Sequence, residues 1–206
     1  MKLKNNHIFI MCSLAIVGGF LNGYTYIFRG KVFATMQTGN IILGTIKLLE
    51  GDLLIVIRYL IPIISFCLGI FLALNIINKY NDKYYKKILV LEILCLLLIM
   101  FIKGHQYDVL VSAIISFIAG IQLESFSNIN DIKYASTMCT GNLRSLTGLI
   151  YKKEKGNNAI VYISVIMSFV LGVILAYYSI IILNDYSLFI CIIILMIIYY
   201  YISKNY

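Results

Sequence analysis

The sequence has few charged residues and few of the residues that interrupt helices in soluble proteins. Only 13% of its 206 residues are charged and 61% are hydrophobic, with a mean hydropathy of +0.92. It contains one proline, Pro62, and no tryptophan. A soluble domain is about one quarter charged, so this composition excludes that class. The uncharged runs 161–183 and 187–202 are typical of membrane helices, and we predict an all-α multi-pass membrane protein.

The sequence has only 2 histidines and 5 cysteines. No two of the cysteines form a C-x-x-C pair. His7 and His105 fall near predicted span ends, so they do not pair as ligands inside the membrane. Four cysteines lie in apolar runs, where a thiol behaves as a small hydrophobic side chain. We therefore expect no disulfide framework, no metal site and no cofactor. The cysteines are Cys12, Cys67, Cys95, Cys139 and Cys191.

Catalytic and nucleic-acid-binding signatures are missing as well. The sequence has no G-x-S-x-G or H-E-x-x-H motif and no paired carboxylates at helical spacing within a span, so we predict that the protein is not an enzyme. The net charge of +8 comes from lysines and arginines placed between the apolar runs. That distribution is typical of loops that set membrane orientation and argues against a nucleic-acid partner. The basic start Met1–His7 leads into a span-length segment, unlike a cleavable signal.

Six apolar stretches have lengths that suit membrane helices, although the third and sixth are short and need their flanking residues. An alternative with eight spans makes each segment that carries Thr-Gly-Asn a full crossing. That alternative would place the basic residues 79–87 outside the cell, which the charge rule disfavours. The six predicted spans are His7–Ile27, Leu53–Ile77, Lys87–Ile102, Tyr107–Glu124, Ala159–Leu183 and Tyr186–Ile202.

The positive charges predict that both termini face the cytoplasm, because they concentrate in the segments that are then internal. We predict a bacterial cytoplasmic (inner) membrane location. The internal segments hold Lys2, Lys4, Lys79, Lys83, Lys86, Lys87, Lys133, Arg144, Lys152, Lys153, Lys155 and Lys204. The external segments hold Arg29, Lys31, Lys47, Arg58 and Lys103.

A six-residue phrase occurs twice. Residues 35–40, Thr-Met-Gln-Thr-Gly-Asn, return as residues 137–142, Thr-Met-Cys-Thr-Gly-Asn, 102 positions later. The stretches 66–73 and 169–176 also match, with Gly69 and Gly172 at equivalent positions, and Gly19 matches Gly120. Anchors in the same order indicate an internal duplication.

The duplication divides one structural domain into residues 1–103 and 104–206, with three spans in each repeat. Because three is odd, the second repeat must be inserted upside down relative to the first. Inverted repeats are a recurrent architecture of secondary transporters, whose sites lie near the bilayer midplane.

The repeated phrase lies in two connections, 28–52 and 125–158, that are too long for tight turns and too apolar for solvated loops. We expect each to be a broken or re-entrant segment. Glycine favours a break, threonine can cap the following helix, and asparagine offers both donors and acceptors. The predicted substrate-binding residues of the phrase are Gln37, Thr38, Gly39, Asn40, Thr140, Gly141 and Asn142. The alternative is a close helix–helix contact without a ligand.

Polar residues inside spans extend this predicted site. Asn22 lies late in the first span, and Gln122 and Glu124 lie late in the fourth. A carboxylate within a span is costly, which makes Glu124 a candidate, although its place near the inner end also lets it reach water. We expect Glu92 to pair with the basic edge formed by Lys86 and Lys87, and Arg144 to follow the positive-inside rule or to attract an anionic solute or lipid headgroup.

The combination of residues 18–20 (Gly-Gly-Phe), the first phrase, Gly120-Ile121-Gln122 and the second phrase resembles the bacterial YoaK family of multi-pass membrane proteins, over most of the chain. The family is regarded as uncharacterised, with export of small metabolites sometimes suggested, so the resemblance implies an inner-membrane protein without naming a substrate. The chain departs from the family pattern where Asn22 replaces a frequent aspartate and Leu123-Glu124 follows Gln122. If that aspartate couples protons in the family, Glu124 is the candidate substitute.

Together these features predict a small-solute transporter or exporter with its site between the two Thr-Gly-Asn segments. The alternatives are a substrate-binding membrane subunit and a non-catalytic scaffold, each acting with a partner protein. The expected partners are membrane lipids and a small solute. A second copy of the chain is a further candidate partner, in a homo-oligomer.

Overall fold

A computed structural model describes residues 7–80, 84–152 and 158–205. Apart from one short β-hairpin and two 3-10 turns, the regular elements within these ranges are α-helices. Lys2, Lys4, Lys83, Lys153 and Lys155, which contributed to the predicted orientation, lie outside the described residues. The helices are α1 His7–Phe28, α2 Gln37–Leu49, α3 Leu53–Tyr80, α4 Tyr84–Phe101, α5 Asp108–Ser125, α6 Thr140–Tyr151, α7 Asn158–Leu183 and α8 Phe189–Asn205; the strands are β1 Asn128–Ile129 and β2 Ile132–Lys133.

Four stretches of the described chain are long and apolar enough to cross a membrane: His7–Phe28, Leu53–Tyr80, His105–Ser125 and Asn158–Asn205. The last contains both α7 and α8, joined by a 3-10 turn. Helix α4 has only 18 residues and includes Lys86, Lys87 and Glu92. The apolar helices indicate an integral membrane protein, while the count of six spans stays a prediction.

Helix α1 lies at the centre of the bundle, since 78% of its apolar window is buried, against 22% for α3. It packs mainly against α7, and α3 packs mainly against α5. Both α1 and α4 contact α8, so the apolar core joins the two halves of the chain. Leu14, Leu96, Ile115 and Leu195 are among its fully buried side chains.

Glycines bring the central helices into backbone contact. A Cβ atom on Gly19 of α1 would lie 2.1 Å from the carbonyl oxygen of Phe169 in α7, and one on Gly172 would lie 2.1 Å from that of Ile16. No side chain fits at such distances, so the two backbones touch.

The α3–α5 pair repeats the arrangement at the equivalent residues. A Cβ on Gly69 would lie 2.1 Å from the carbonyl oxygen of Phe117, and one on Gly120 would lie 2.3 Å from that of Phe66. In both pairs, a helix that precedes one copy of the phrase crosses the helix that follows the other copy.

At one end of the bundle, a buried arginine joins four segments. Arg29, just after α1, is 1% exposed. Its Nε donates to the Tyr24 hydroxyl at 3.1 Å, and its two terminal nitrogens contact Asp108, at 3.4 Å, and Asp185. They also donate to the carbonyl oxygens of Ile102, at 3.0 Å, and Gly104, at 3.3 Å.

Arg29 was counted above among the external positive charges; the structure shows that it is buried in protein rather than solvated, and its side of the membrane stays a prediction. Burial alone would lower the pKa of its guanidinium, but the hydrogen bond with Tyr24 and the charge of Asp185 raise that pKa above its usual value. The group therefore keeps its charge where it ties the ends of α1, α4 and α7 to the start of α5.

Glu92 of α4 also differs from expectation. Its side chain is 1% exposed, and its Oε1 has no hydrogen-bond partner among the described residues. The Lys87 ammonium instead lies 3.2 Å from the centroid of the Tyr80 ring. The expected pairing of Glu92 with the basic edge is therefore wrong, because the carboxyl faces the bundle interior rather than the end where the lysines lie.

Candidate functional site

The chain turns back into the bundle after α1. Gly30 and Lys31 have φ values of +79° and +58°, a left-handed backbone that reverses the direction of the chain. The Ala34 N–H then donates to the Thr25 hydroxyl at 3.3 Å. The Thr35 N–H donates to the Asn22 side-chain oxygen, also at 3.3 Å. Residues 29–36, the first returning segment, therefore run back along α1 before α2 begins at Gln37.

The second connection does the same after α5. It opens with the β1–β2 hairpin, whose turn residues Asn130 and Asp131 both have positive φ values, +50° and +63°. Such two-residue turns suit the twist of a hairpin. After the hairpin, the Ser136 hydroxyl accepts a hydrogen bond at 2.9 Å from the side-chain nitrogen of Gln122 in α5. Residues 126–139 form this second returning segment, and α6 begins at Thr140.

The two returning segments meet beside the middle of α1. The Thr35 hydroxyl donates to the carbonyl oxygen of Thr137 at 2.7 Å, and these residues are the first of each repeated phrase. The Asn22 amide nitrogen contacts the Thr35 hydroxyl and lies 3.3 Å from the Thr137 carbonyl oxygen. Gly18 makes room, because a Cβ there would lie 2.4 Å from the carbonyl oxygen of Ser136.

The side chains at this meeting point are polar, uncharged and buried. We call Asn22, Thr35, Gln122, Ser136 and Thr137 the central polar cluster; none is more than 4% exposed. The Thr137 hydroxyl has no hydrogen-bond partner within the described residues. Such a cluster can hydrogen-bond a small uncharged molecule, whereas an unpaired ion would lose its hydration there without compensation.

The two phrase asparagines hold the returning segments in place. The Asn40 amide accepts from the Phe33 N–H at 3.1 Å and donates to the Phe33 carbonyl at 2.5 Å. Asn142 makes the same pair of bonds with Ala135, at 3.0 and 2.7 Å. Both amides are buried. Each asparagine side chain thus hydrogen-bonds the backbone N–H and carbonyl of the residue seven positions earlier. These bonds fix the first returning segment against α2 and the second against α6.

The other predicted site residues occupy different places. Thr38, Thr140 and Gly141 are exposed, and Gly39 is half-buried. Gln37 donates to the Ala34 carbonyl at 2.9 Å and accepts from Asn40 at 2.9 Å, so it supports the first returning segment. Glu124 is half-buried near the end of α5. Of the ten predicted site residues, Asn22 and Gln122 belong to the central polar cluster, and binding by any of the ten stays a prediction.

The expected helix caps are wrong. Met36 and Cys139 occupy the N-cap positions of α2 and α6, and neither makes a side-chain capping bond. The glycines of the phrase lie inside these helices rather than at a break. The break comes earlier because the asparagines bond back to the returning segments, so each helix starts before its glycine.

Sequence reasoning missed Thr35, Ser136 and Thr137 as candidate site residues. A signal for two of them was present, since the repeated phrase begins with an identical threonine in each copy. The prediction used the Thr-Gly-Asn end of the phrase and left out its first threonine.

Comparison with models of protein families identifies a family for this chain. A family described as "protein of unknown function (DUF1275)" matches residues 10–201. No curated protein and no solved structure matches the chain. The expectation of an uncharacterised family is thereby confirmed, while the YoaK name stays a prediction.

Proposed function

The chain belongs to the DUF1275 family of proteins of unknown function, and we propose that it is a six-span transporter of a small uncharged polar solute. The observation that carries this proposal is the contact between Thr35 and Thr137 beside the middle of α1. Irregular backbone at membrane depth is tolerated where it is buried in protein or lines a cavity. Two such segments meeting at one point are the parts from which transporters build central sites.

The proposed architecture is a pair of inverted repeats. Support comes from features that occur twice. The returning segments and the asparagine bonds to the residue seven positions earlier occur once in each half, and the two glycine crossings each join one helix of the first half to one of the second. In this arrangement the first returning segment enters from the external side and the second from the cytoplasmic side. The two returning segments then face each other across the proposed twofold axis between the repeats, which passes near Thr35 and Thr137.

Helices α2 and α6 suit this arrangement by their length. They contain 13 and 12 residues, which correspond to about 20 and 18 Å at 1.5 Å per residue. Each therefore spans little more than half of a hydrocarbon core of about 30 Å. Their N-termini begin next to the central polar cluster, and the partial positive charge of a helix N-terminus favours electron-rich oxygen atoms of a solute.

In the proposed mechanism, the hydrogen bond between the Thr35 hydroxyl and the Thr137 carbonyl holds the route closed. In the proposed mechanism the returning segments separate at this bond, and the solute takes over the hydrogen bonds of Thr35, Thr137 and Asn22. The glycine-packed helix pairs remain as the fixed frame. Neutral solutes are favoured because the central polar cluster contains no charged side chain.

Replacing Thr35 tests this mechanism. Thr35→Val keeps the side-chain shape but removes the hydroxyl that donates to Thr137, so we expect solute flux to change several-fold. The measurement is stopped-flow light scattering of liposomes that contain the purified protein, with urea, glycerol, erythritol and neutral amino acids as solutes. The protein should accelerate at least one of them over empty liposomes.

The control is Thr147→Val, at an exposed position of α6 that is not one of the ten predicted site residues, which should leave flux unchanged. Two results contradict the proposal: no tested solute moves faster than through empty liposomes, or the two valine variants behave alike. Solute binding by the detergent-purified protein without flux would instead support a substrate-binding subunit that acts with a partner.

Cysteine labelling tests the proposed orientation. In a variant without native cysteines, Lys47→Cys at the end of α2 should react with a membrane-impermeant maleimide on intact cells. Lys152→Cys, just after α6, should react only after permeabilisation, because the inverted repeats place these ends on opposite sides. Labelling of both positions from the same side would exclude inverted repeats.

A further inference from the structure

A basic cleft lies between α6, α7 and the β1–β2 hairpin, and none of its lining residues belongs to the central polar cluster. Its volume is about 510 Å³, and a neighbouring cavity of about 440 Å³ shares Gly141 and Ser145 with it. Gly141 and Gly148 leave it open, since a Cβ on either would meet nothing within 4 Å. The cleft is therefore large enough for a phosphate-bearing headgroup.

The charges in the cleft are mainly positive. Arg144 and Lys152 line it together with one carboxylate, Asp131, and Lys133 lines the neighbouring cavity. Arg144 is exposed, so its guanidinium can meet a ligand from the surroundings. The Tyr162 hydroxyl donates to the Lys133 carbonyl at 2.8 Å, which fixes α7 against the hairpin.

The equivalent groove in the first half of the chain lacks these cations. It lies between α2 and α3, has a volume of about 200 Å³ and is lined by Tyr59, which matches Tyr162 in the repeat. The residues 102 positions before Arg144 and Lys152 are Ile42 and Glu50. Each half of the chain therefore has a groove, but only the groove of the second half has the two cations, Arg144 and Lys152. The fold does not require these cations, since the first groove forms without them.

Apolar side chains also line the cleft itself: Ile132 of the hairpin, Leu149 of α6 and the ring of Tyr162 in α7. A soluble anion would make no use of these side chains, whereas the acyl chains of a lipid would cover them. Arginine binds phosphate oxygens in a bidentate manner, and lysine adds a point charge.

We propose that this cleft binds the phosphate headgroup of an anionic phospholipid, with Arg144 and Lys152 on the phosphate and the acyl chains along α6 and α7. In the orientation proposed above, the lipid belongs to the cytoplasmic leaflet, where basic pockets between helices commonly take such headgroups. A bound lipid would fix α6, and with it the second returning segment.

Native mass spectrometry of the full chain in detergent, titrated with phosphatidylglycerol, tests the proposal. We expect one saturable site that binds phosphatidylglycerol more tightly than phosphatidylcholine. The double variant R144Q/K152Q should weaken it at least tenfold. D131N should strengthen binding, because it removes the carboxylate from the cleft and asparagine tolerates the positive φ of that turn.

The matched control is K79Q/K204Q, which removes two exposed charges from the same predicted side, outside the cleft. It should bind lipid as the unaltered protein does. Equal weakening by both double variants, no preference over phosphatidylcholine, or no gain in D131N would overturn the proposal. Competition by soluble glycerol phosphate at the same concentration as the lipid would also overturn it, because the site would then bind a free anion. None of these results depends on solute transport.

Discussion

Gly172→Ala is expected to destabilise the protein by about 1–3 kcal/mol or more, the usual cost of forcing extra volume into a well-packed interior. The added methyl would lie 2.1 Å from the Ile16 carbonyl oxygen, and the atom that must move belongs to a backbone. Helices α1 and α7 would therefore separate along the central crossing. The measurement is the thermal unfolding midpoint of the purified protein in one detergent.

Gly148→Ala is the matched control, because a Cβ there meets nothing within 4 Å. Alanine is the better helix former by roughly 1 kcal/mol, so this variant should be as stable as the parent or slightly more so. Combining Gly172→Ala with Gly19→Ala should cost less than the sum of the two, since both act on one crossing. An unfolding midpoint for Gly172→Ala equal to that of Gly148→Ala would contradict the backbone contact.

Arg29→Met is expected to cost about 3–5 kcal/mol, the range seen when one partner of a buried ion pair is removed. The guanidinium is 1% exposed, while Asp108 and Asp185 are 15% and 16% exposed. Removing it takes the guanidinium from Asp185 and from two carbonyl oxygens, and leaves Asp108 with its contact to His105 alone. Thermal unfolding in detergent measures the loss.

Arg29→Lys should rescue little of that stability, because an ammonium cannot reproduce five contacts made from three nitrogens. Arg29→Met with Asp108→Leu and Asp185→Leu should recover part of it, since no unpaired charge then remains. Lys47→Met, which breaks the exposed pair with Glu50, should show no measurable change. An Arg29→Met protein as stable as Lys47→Met would mean that Arg29 does not join the helix ends.

Much of the helical framework could be predicted from the sequence. The apolar runs predicted helices close to α1, α3, α5 and α7, because a segment with so few charges has few alternatives to a buried or lipid-facing helix. The repeated glycines Gly19, Gly69, Gly120 and Gly172 were recognised as equivalent positions. Their role in the backbone contacts of α1 with α7 and of α3 with α5 became clear only from the structure. A glycine in an apolar run does not reveal which backbone approaches it.

The candidate site was harder to predict because it depends on contacts between distant parts of the chain. Thr35 and Thr137 are 102 positions apart, and their hydrogen bond forms only when both connections turn back into the bundle. The positive φ values at Gly30 and Lys31 produce one of these turns. Lysine is not a residue that signals such a conformation in a sequence.

The amino-acid sequence alone was enough to predict the membrane character and the helical class, because both follow from composition. It also showed the repeated phrase, because a repetition can be read without knowledge of contacts. The tertiary structure decided which residues of the phrase face which neighbour. Asn40 and Asn142 bond back to their own segments, so Thr35 and Thr137 reach the centre while Thr38 and Thr140 stay exposed. Which side of a helix is buried depends on where that helix begins, and the asparagine bonds to the residue seven positions earlier set that position here.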